Sequence, residues 1–200
     1  RLIVKIDSMG DTLWTKKSSV NGRVKSILQS DSGGYFMLGT TDGPWGSPGD
    51  MYLMHLDENG DLLWFKDLSF AGRANDMIKT YDGGYLLLGS KKMIKINSLT
   101  DTIWTKPNYW DVTKAVVQTQ DSGFALLGAS YFGPSVGYDM LLKKTNQYGD
   151  SLWAKSYGGQ GSQTGISLNK TIDGGYMLLG NHNNGTPSVF DWYLVKTDST

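Results

Sequence analysis

Three short phrases recur in a fixed order along the chain. They constrain its fold more than any other feature. One is Asp11-Thr12-Leu13-Trp14-Thr15-Lys16, which returns from Asp61 to Lys66, from Asp101 to Lys106 and from Asp150 to Lys155. A second is Asp31-Ser32-Gly33-Gly34-Tyr35 through Gly39, which returns at Asp82–Gly89, Asp121–Gly128 and Asp173–Gly180. A third, Leu2-Ile3-Val4-Lys5-Ile6-Asp7, precedes each tryptophan phrase and appears a fifth time from Tyr193 to Asp198. Self-similarity at 40 to 50 residues is the mark of a repeat architecture. The chain can therefore fold only into something that stacks copies of one small unit.

Each unit reads as four short strands, a to d. In the first complete unit these are Arg23–Gln29, Gly34–Thr40, Met51–Leu56 and Asp61–Lys66. The a–b connection, Ser30-Asp31-Ser32-Gly33, and the c–d connection, Asp57-Glu58-Asn59-Gly60, are hairpin turns. Asp supplies a side-chain acceptor there, and Gly supplies the positive φ. With 26 glycines in 200 residues, such turns are affordable throughout. No stretch keeps a helical period over three turns. Strand b is apolar at nearly every position, as in Tyr85-Leu86-Leu87-Leu88, which predicts burial on both faces. A sandwich would bury only one face of each sheet. The expected fold is all-β, a β-propeller of four-stranded antiparallel blades, with a β-solenoid as the alternative.

The expected organisation is a partial blade 1–16, blades 22–66, 72–106 and 111–155, and a partial blade 162–200. The chain opens with strands c and d and ends with a, b and c, so a self-closed four-blade ring would carry one strand too many. It also starts at Arg1 with no apolar leader. The expectation is a fragment or processed product of a longer array, with further blades or domains of the same polypeptide as neighbours.

The order of strand, Asp-x-x-Gly-Asp turn and Leu-Trp resembles the repeat of quinoprotein-type (PQQ-like) propellers. The fuller pattern of Tyr-Leu-x-Lys-Thr-Asp, Gly-Asp-x-x-Trp and Asp-Gly-Gly-Tyr is similar to repeats in large secreted proteins of Bacteroidota, often upstream of a type IX secretion sorting domain. The resemblance covers essentially the whole chain. It implies blade-docking roles for Trp14, Trp64, Trp104 and Trp153 and an extracellular or cell-surface location. It brings no cofactor and no assigned activity. The round at Asn97-Ser98-Leu99-Thr100-Asp101 departs from the pattern in lacking the turn Gly.

Composition excludes several functions. Lys plus Arg and Asp plus Glu number 19 each. No basic excess exists to displace phosphate counterions, so nucleic acid is not an expected partner. There is no Cys, hence no disulfide, thiolate metal site or cysteine nucleophile. The longest apolar runs are far too short to span a membrane as a helix. Gly133-Pro134-Ser135-Val136-Gly137 has the letters of a nucleophile elbow, but it lies between two strands with no helix after it. Only two histidines are present, which makes no transition-metal site. His55 takes the place of Lys5, Lys95, Lys144 and Lys196 and reads as a strand surface residue. The Asp-x-x-Gly-Asp turns lack the alternating carboxylates of a calcium loop. No acid–base pair stands out, so the chain is not expected to be an enzyme, and no cofactor or metal is expected.

The a–b and c–d turns are short and near-identical, whereas the b–c and d–a connections vary. Variable loops on a rigid scaffold are where binding concentrates. The candidate ligand-binding residues are Asp42, Trp45, Asn108, Tyr109, Trp110, Tyr131, Phe132, His182, Asn183 and Asn184. Rings beside amides and carboxylates suit sugars, whose C–H faces stack while their hydroxyls hydrogen-bond. The expectation is a secreted or cell-surface module for binding or adhesion, with a glycan or surface protein as partner. The alternatives are a structural spacer in a large surface protein and a non-catalytic part of an enzyme.

Overall fold

The computed structural model describes residues 2–18, 20–31, 33–43, 48–108, 112–133, 137–183 and 190–198. It divides into two compact units, Arg1–Ala74 and Asn75–Thr200. Both are all-β, and the sheets are the blades of a β-propeller.

The first unit opens with the hairpin of β1 (Leu2–Ile6) and β2 (Thr12–Lys17). A complete blade follows: β3 (Gly22–Gln29), β4 (Tyr35–Asp42), β5 (Pro48–Leu56) and β6 (Leu62–Asp67), paired in that order. A 3₁₀ turn at Ser69–Ala71 leads out of it. Met37, Tyr52, Met54 and Leu56 of this blade pack against Ile3 of β1 and Val20.

The second unit is built from two complete blades. One is β7 (Ala74–Lys79), β8 (Tyr85–Gly89), β9 (Lys92–Ile96) and β10 (Thr102–Pro107). The next is β11 (Val112–Gln118), β12 (Phe124–Tyr131), β13 (Tyr138–Thr145) and β14 (Ser151–Tyr157). A three-stranded sheet, β15 (Ser162–Lys170), β16 (Tyr176–Asn183) and β17 (Phe190–Lys196), follows them. All pairings are antiparallel meanders between sequence neighbours, so every hairpin is local. Every residue of β8 is buried, as its unbroken apolar run requires. Leu86, Leu88 and Met93 meet Val116, Phe124 and Leu126 of the next blade, and Leu127, Met140 and Leu142 meet Leu168 and Leu178 of the one after. At about 25 cal/mol per Å² of apolar area, these seams are the main source of stability.

All four repeat tryptophans are half-buried, and Trp14, Trp104 and Trp153 pack against the following blade. Strand d is the outermost strand of each sheet, so one ring edge stays at the rim. A Cβ on Gly60 would fall 2.6 Å from Trp14 Cη2, and one on Gly149 would fall 2.9 Å from Trp104 Cη2. The Trp14 indole N–H donates to Glu58 O at 3.1 Å. Each ring thus lies on the glycine of the next c–d turn. The lysine two residues on reaches the aspartate after that glycine: Lys16 to Asp61 at 2.6 Å, and Lys106 to Asp150 at 2.5 Å. Trp104 also meets Phe124 edge-on, and Trp153 packs into the seam beside Leu178. Trp64 tilts over Phe36 and His55 of its own blade.

Two of the strand-c lysines are not surface residues, whereas Lys196 is exposed. Lys95 and Lys144 are buried, and each Nζ turns back to the a–b turn. Lys95 reaches Asp82 at 2.9 Å and Ile96 O at 3.1 Å; Lys144 reaches Asp121 at 2.7 Å and Thr145 O at 2.9 Å. Lys196 makes the same pair with Asp173 at 2.6 Å. The aspartates also take the turn's own donors, Thr80 Oγ1 and Gly84 N–H at Asp82, for example. His55 is likewise buried. Its imidazole stacks on Phe36, and its Nε2–H points to Gly33 O at 3.3 Å. The sequence expectation for His55 fails because the strand-c position faces a turn carbonyl, not water.

Two predictions follow from these turns. In the departing c–d turn, Thr100 takes the left-handed conformation, φ 69°, that Gly60 and Gly149 hold elsewhere. A β-branched residue there costs about 1–2 kcal/mol, more than glycine's entropic disadvantage of about 0.5–1 kcal/mol. Thr100→Gly should therefore raise stability by up to about 1 kcal/mol in urea titrations, and an unchanged or lower midpoint would refute the strain. The second concerns acid. Desolvation opposes ionisation of Asp82 and Asp121. Hydrogen bonds from Thr80 or Thr119, from the lysine and from a turn N–H outweigh it and hold both carboxyls at about 2, against an ordinary 3.8. Depressed carboxyls stabilise the fold above their unfolded value and lose that contribution as pH falls through the folded one. Melting temperature should fall between about pH 4 and pH 2, and Asp82→Asn/Asp121→Asn should flatten that fall.

Candidate binding face

Strands b and c run further than the repeat phrases imply. Their ladders continue to Asp42↔Pro48, Tyr131↔Tyr138 and Asn183↔Phe190. Asp42, Tyr131, His182 and Asn183 therefore sit on strand ends rather than in loops. The added ladder bonds fix their backbones at the b–c ends of their own sheets.

In the second unit this end forms one polar and aromatic face. Tyr131 and Tyr138 face each other across the β12–β13 hairpin, with ring centroids 5.2 Å apart. Phe132 follows, its N–H donating to Gly137 O at 2.9 Å, and both Tyr131 and Phe132 are about half exposed. The Tyr138 N–H donates to Ser162 Oγ at 3.3 Å, which joins the hairpin to the start of β15. There Gln163 is buried. It accepts from Gly159 N–H at 3.3 Å and donates to Gln160 O at 3.2 Å. Opposite it on β16, His182 is half-buried. It donates from Nε2 to Gln160 O at 3.1 Å and meets Tyr193 edge-on.

Asp139 lies at the foot of the aromatic hairpin. Its Oδ1 is buried and has no hydrogen-bond partner among the described residues. It rests against Gly158, where a Cβ would stand 2.0 Å from it and 2.6 Å from Gln163 Oε1. Gly158 and Gly161 are thus required by close approach: a Cβ on Gly161 would meet Asn183 O at 2.3 Å. The Gly158-Gly159-Gln160-Gly161 run, which has no phosphate-loop continuation, is a packing device between blades. Burial, with a smaller push from Asp198, raises the Tyr157 phenol, so this ring stays neutral. Burial also lowers Lys143, which lies by Asn108 and Thr113.

The other candidates fare differently. Asn108 is buried, and its amide is committed to the fold. Nδ2 donates to Gly89 O at 2.9 Å, and Oδ1 accepts from Thr113 Oγ1 at 3.1 Å. It ties β10 to β8 and β11 and presents nothing to a ligand. Asp42 is exposed at the end of β4 in the first unit. Trp45, Tyr109, Trp110 and Asn184 lie outside the described residues, as does Ser135. Gly158 and Gln163 lie in the variable d–a connection Ser156–Gln163, a candidate binding loop by its departure from the repeat, but nothing in the sequence singles them out within it. No group of three His, Asp or Glu placed to hold a metal occurs among the described residues, and no helix there is long and apolar enough to cross a membrane.

No protein-family model matches the chain, and no curated protein sequence does. Among solved structures, a protein of unknown function from Bacteroides caccae matches with a TM-score of 0.58 at 10% identity, over 97% of this chain and 72% of that one. At that identity the likeness is one of fold alone. BamB from Moraxella catarrhalis matches with a TM-score of 0.47 at 16% identity, over 94% of this chain and 56% of that one. The Pan2 WD40 domain from Neurospora crassa matches with 0.49 at 12%, over 89% and 63%. This chain is a β-propeller repeat protein.

The contact of Asp139 with Gly158 is testable. Gly158→Ala should lower the melting temperature by forcing the carboxylate away. Asp139→Ala in the same chain should restore part of it, because the unpartnered oxygen leaves while Gln163 Oε1 still crowds the new Cβ. Equal melting of the single and double variants would show that the two residues do not touch.

Proposed function

We propose that this chain is a non-enzymatic binding module of a secreted or cell-surface protein, and that the Tyr131–Phe132–Tyr138 face takes a glycan. The observation that carries it is the exposure of Tyr131 and Phe132 at the end of a ladder-fixed hairpin, with the Tyr138 ring packed against Tyr131. Rigid rings offer stacking area at low entropic cost. His182 and Gln163 are engaged with backbone groups, an arrangement that supports binding over proton transfer. The repeat phrases support a place among the secreted arrays of Bacteroidota that sort by type IX secretion.

A glycan array probed with the wild-type chain should return binders, and Phe132→Ala or Tyr131→Ala should abolish the signal without shifting the melting temperature. Absence of any binder would leave the spacer role, in which these blades only hold other domains apart.

A further inference from the structure

One tryptophan seam is complete on both sides and still holds a pocket. It lies between the β7–β10 and β11–β14 sheets, each of four strands. The pocket, of about 190 Å³, opens at the a–b and c–d turns, the end of the blades away from Tyr131 and Phe132. Trp104 lines it, its ring against Gly149 and edge-on to Phe124. Tyr81, from an a–b turn, and Tyr148, from the next blade's c–d turn, line it as well, and both are largely exposed. Neither tyrosine belongs to the repeat. The position of Tyr81 holds Asp31, Gln120 and Ile172 in the other rounds, and that of Tyr148 holds Met9, Asn59 and Leu99. Two departures therefore converge on one repeat tryptophan.

The walls are held in place by hydrogen bonds outside the pocket. Tyr81 N–H donates to Gln118 Oε1 at 2.7 Å, and its hydroxyl accepts from Lys170 Nζ at 2.7 Å. Gln118 donates in turn from Nε2 to Ser122 O at 3.2 Å. Tyr148 N–H donates to Asn146 Oδ1 at 2.9 Å. Charge enters from Asp82, whose side chain is 56% exposed, whereas that of Lys95 behind it is 5% exposed. Lys95 donates to both Asp82 oxygens and to Ile96 O, so its ammonium is spent within the fold. The pocket thus meets the carboxylate end of that ion pair. Asp82 also accepts from Thr80 Oγ1 and Gly84 N–H. It therefore offers negative charge, with few lone pairs left for a further donor. Lys170 is exposed at the Tyr81 hydroxyl and does not line the pocket.

We propose that this pocket binds a quaternary ammonium group, with the cation against Tyr81, Trp104 and Tyr148 and with Asp82 as counter-charge. Aromatic rings attract a cation through the negative potential of their faces, Trp most strongly. A nearby carboxylate adds to that attraction, and a neutral ligand gains nothing from it. The choice among cations follows from the hydrogen bonds. A primary ammonium brings three N–H donors and a guanidinium five. Here the carboxylate's acceptors are largely taken, and a donor buried without a partner is costly. A trimethylammonium carries charge and no donor, which is what rings beside an occupied carboxylate can accept. A free choline-type solute and a phosphocholine lipid headgroup present this same chemistry.

Choline titrated into the isotope-labelled 200-residue chain should saturably shift the NMR signals of the Trp104 indole and of the Gly149 and Ser122 amides. Its uncharged tert-butyl analogue, with carbon in place of nitrogen, should not do so at the same concentration. Tyr148→Ala should weaken choline binding about tenfold at an unchanged melting temperature, and Tyr148→Phe should keep it. Vesicles of phosphatidylcholine, set against phosphatidylglycerol, identify the source. Co-sedimentation with phosphatidylcholine alone, lost in Tyr148→Ala, marks a lipid headgroup; choline binding without co-sedimentation marks a free solute. Equal binding of the uncharged analogue, no saturable shift at these signals, or full binding by Tyr148→Ala would each overturn the proposal.

Discussion

The structure depends on strand b being buried on both faces. No single sheet gives that environment, because a strand such as Tyr85–Gly89 would leave one apolar face in water. A neighbouring blade must cover each side, and the neighbour's own strand b then makes the same demand. Stacking is a requirement of the sequence, and the four-strand unit is the smallest piece that meets it. The buried lysines follow from the same constraint. Where a further blade covers strand c, as at Lys95 and Lys144, the lysine is cut off from water, and burying the ammonium is tolerable only with a carboxylate and a carbonyl in place. Asp82 with Ile96 O, and Asp121 with Thr145 O, provide both.

The architecture was legible because each repeated phrase carries one structural task. The Asp-Gly-Gly phrase makes the a–b turn, the apolar run makes strand b, and the tryptophan marks strand d. What stayed hidden was the link between phrases. The lysine of strand c and the aspartate of the a–b turn recur together, and that joint recurrence is the signature of an ion pair. Taken one at a time, a lysine in a strand reads as surface and an aspartate in a turn reads as a turn former. His55 confirms the rule from the other side. It keeps the buried place and the turn carbonyl, and it adds a stack on Phe36.

The tryptophans show a second limit of periodicity. Their recurrence signals that they matter, but not how deeply they sit. Depth is set by strand order, and the sequence places strand d last without stating that the last strand is the rim. Docking therefore works through shape and polar contact, with a glycine admitting the ring and a lysine–aspartate pair fixing it, rather than through full burial. A seam made this way is modular, since its two halves are short local motifs on different blades.

That modularity explains why function is harder to read than fold. Residues that repeat are spent on the scaffold, so information about a ligand must lie in the departures. Tyr131, Phe132, Tyr138 and His182 are such departures, and the structure places them along one face. Asn108 is a departure as well, but its amide closes the backbone between β8 and β11. A polar residue outside the repeat is thus a candidate for either role. The distinguishing quantity is whether its hydrogen-bonding groups are already taken. By that measure Asn108 belongs to the scaffold, whereas the Tyr131 and Phe132 rings, half exposed at a strand end, belong to the face.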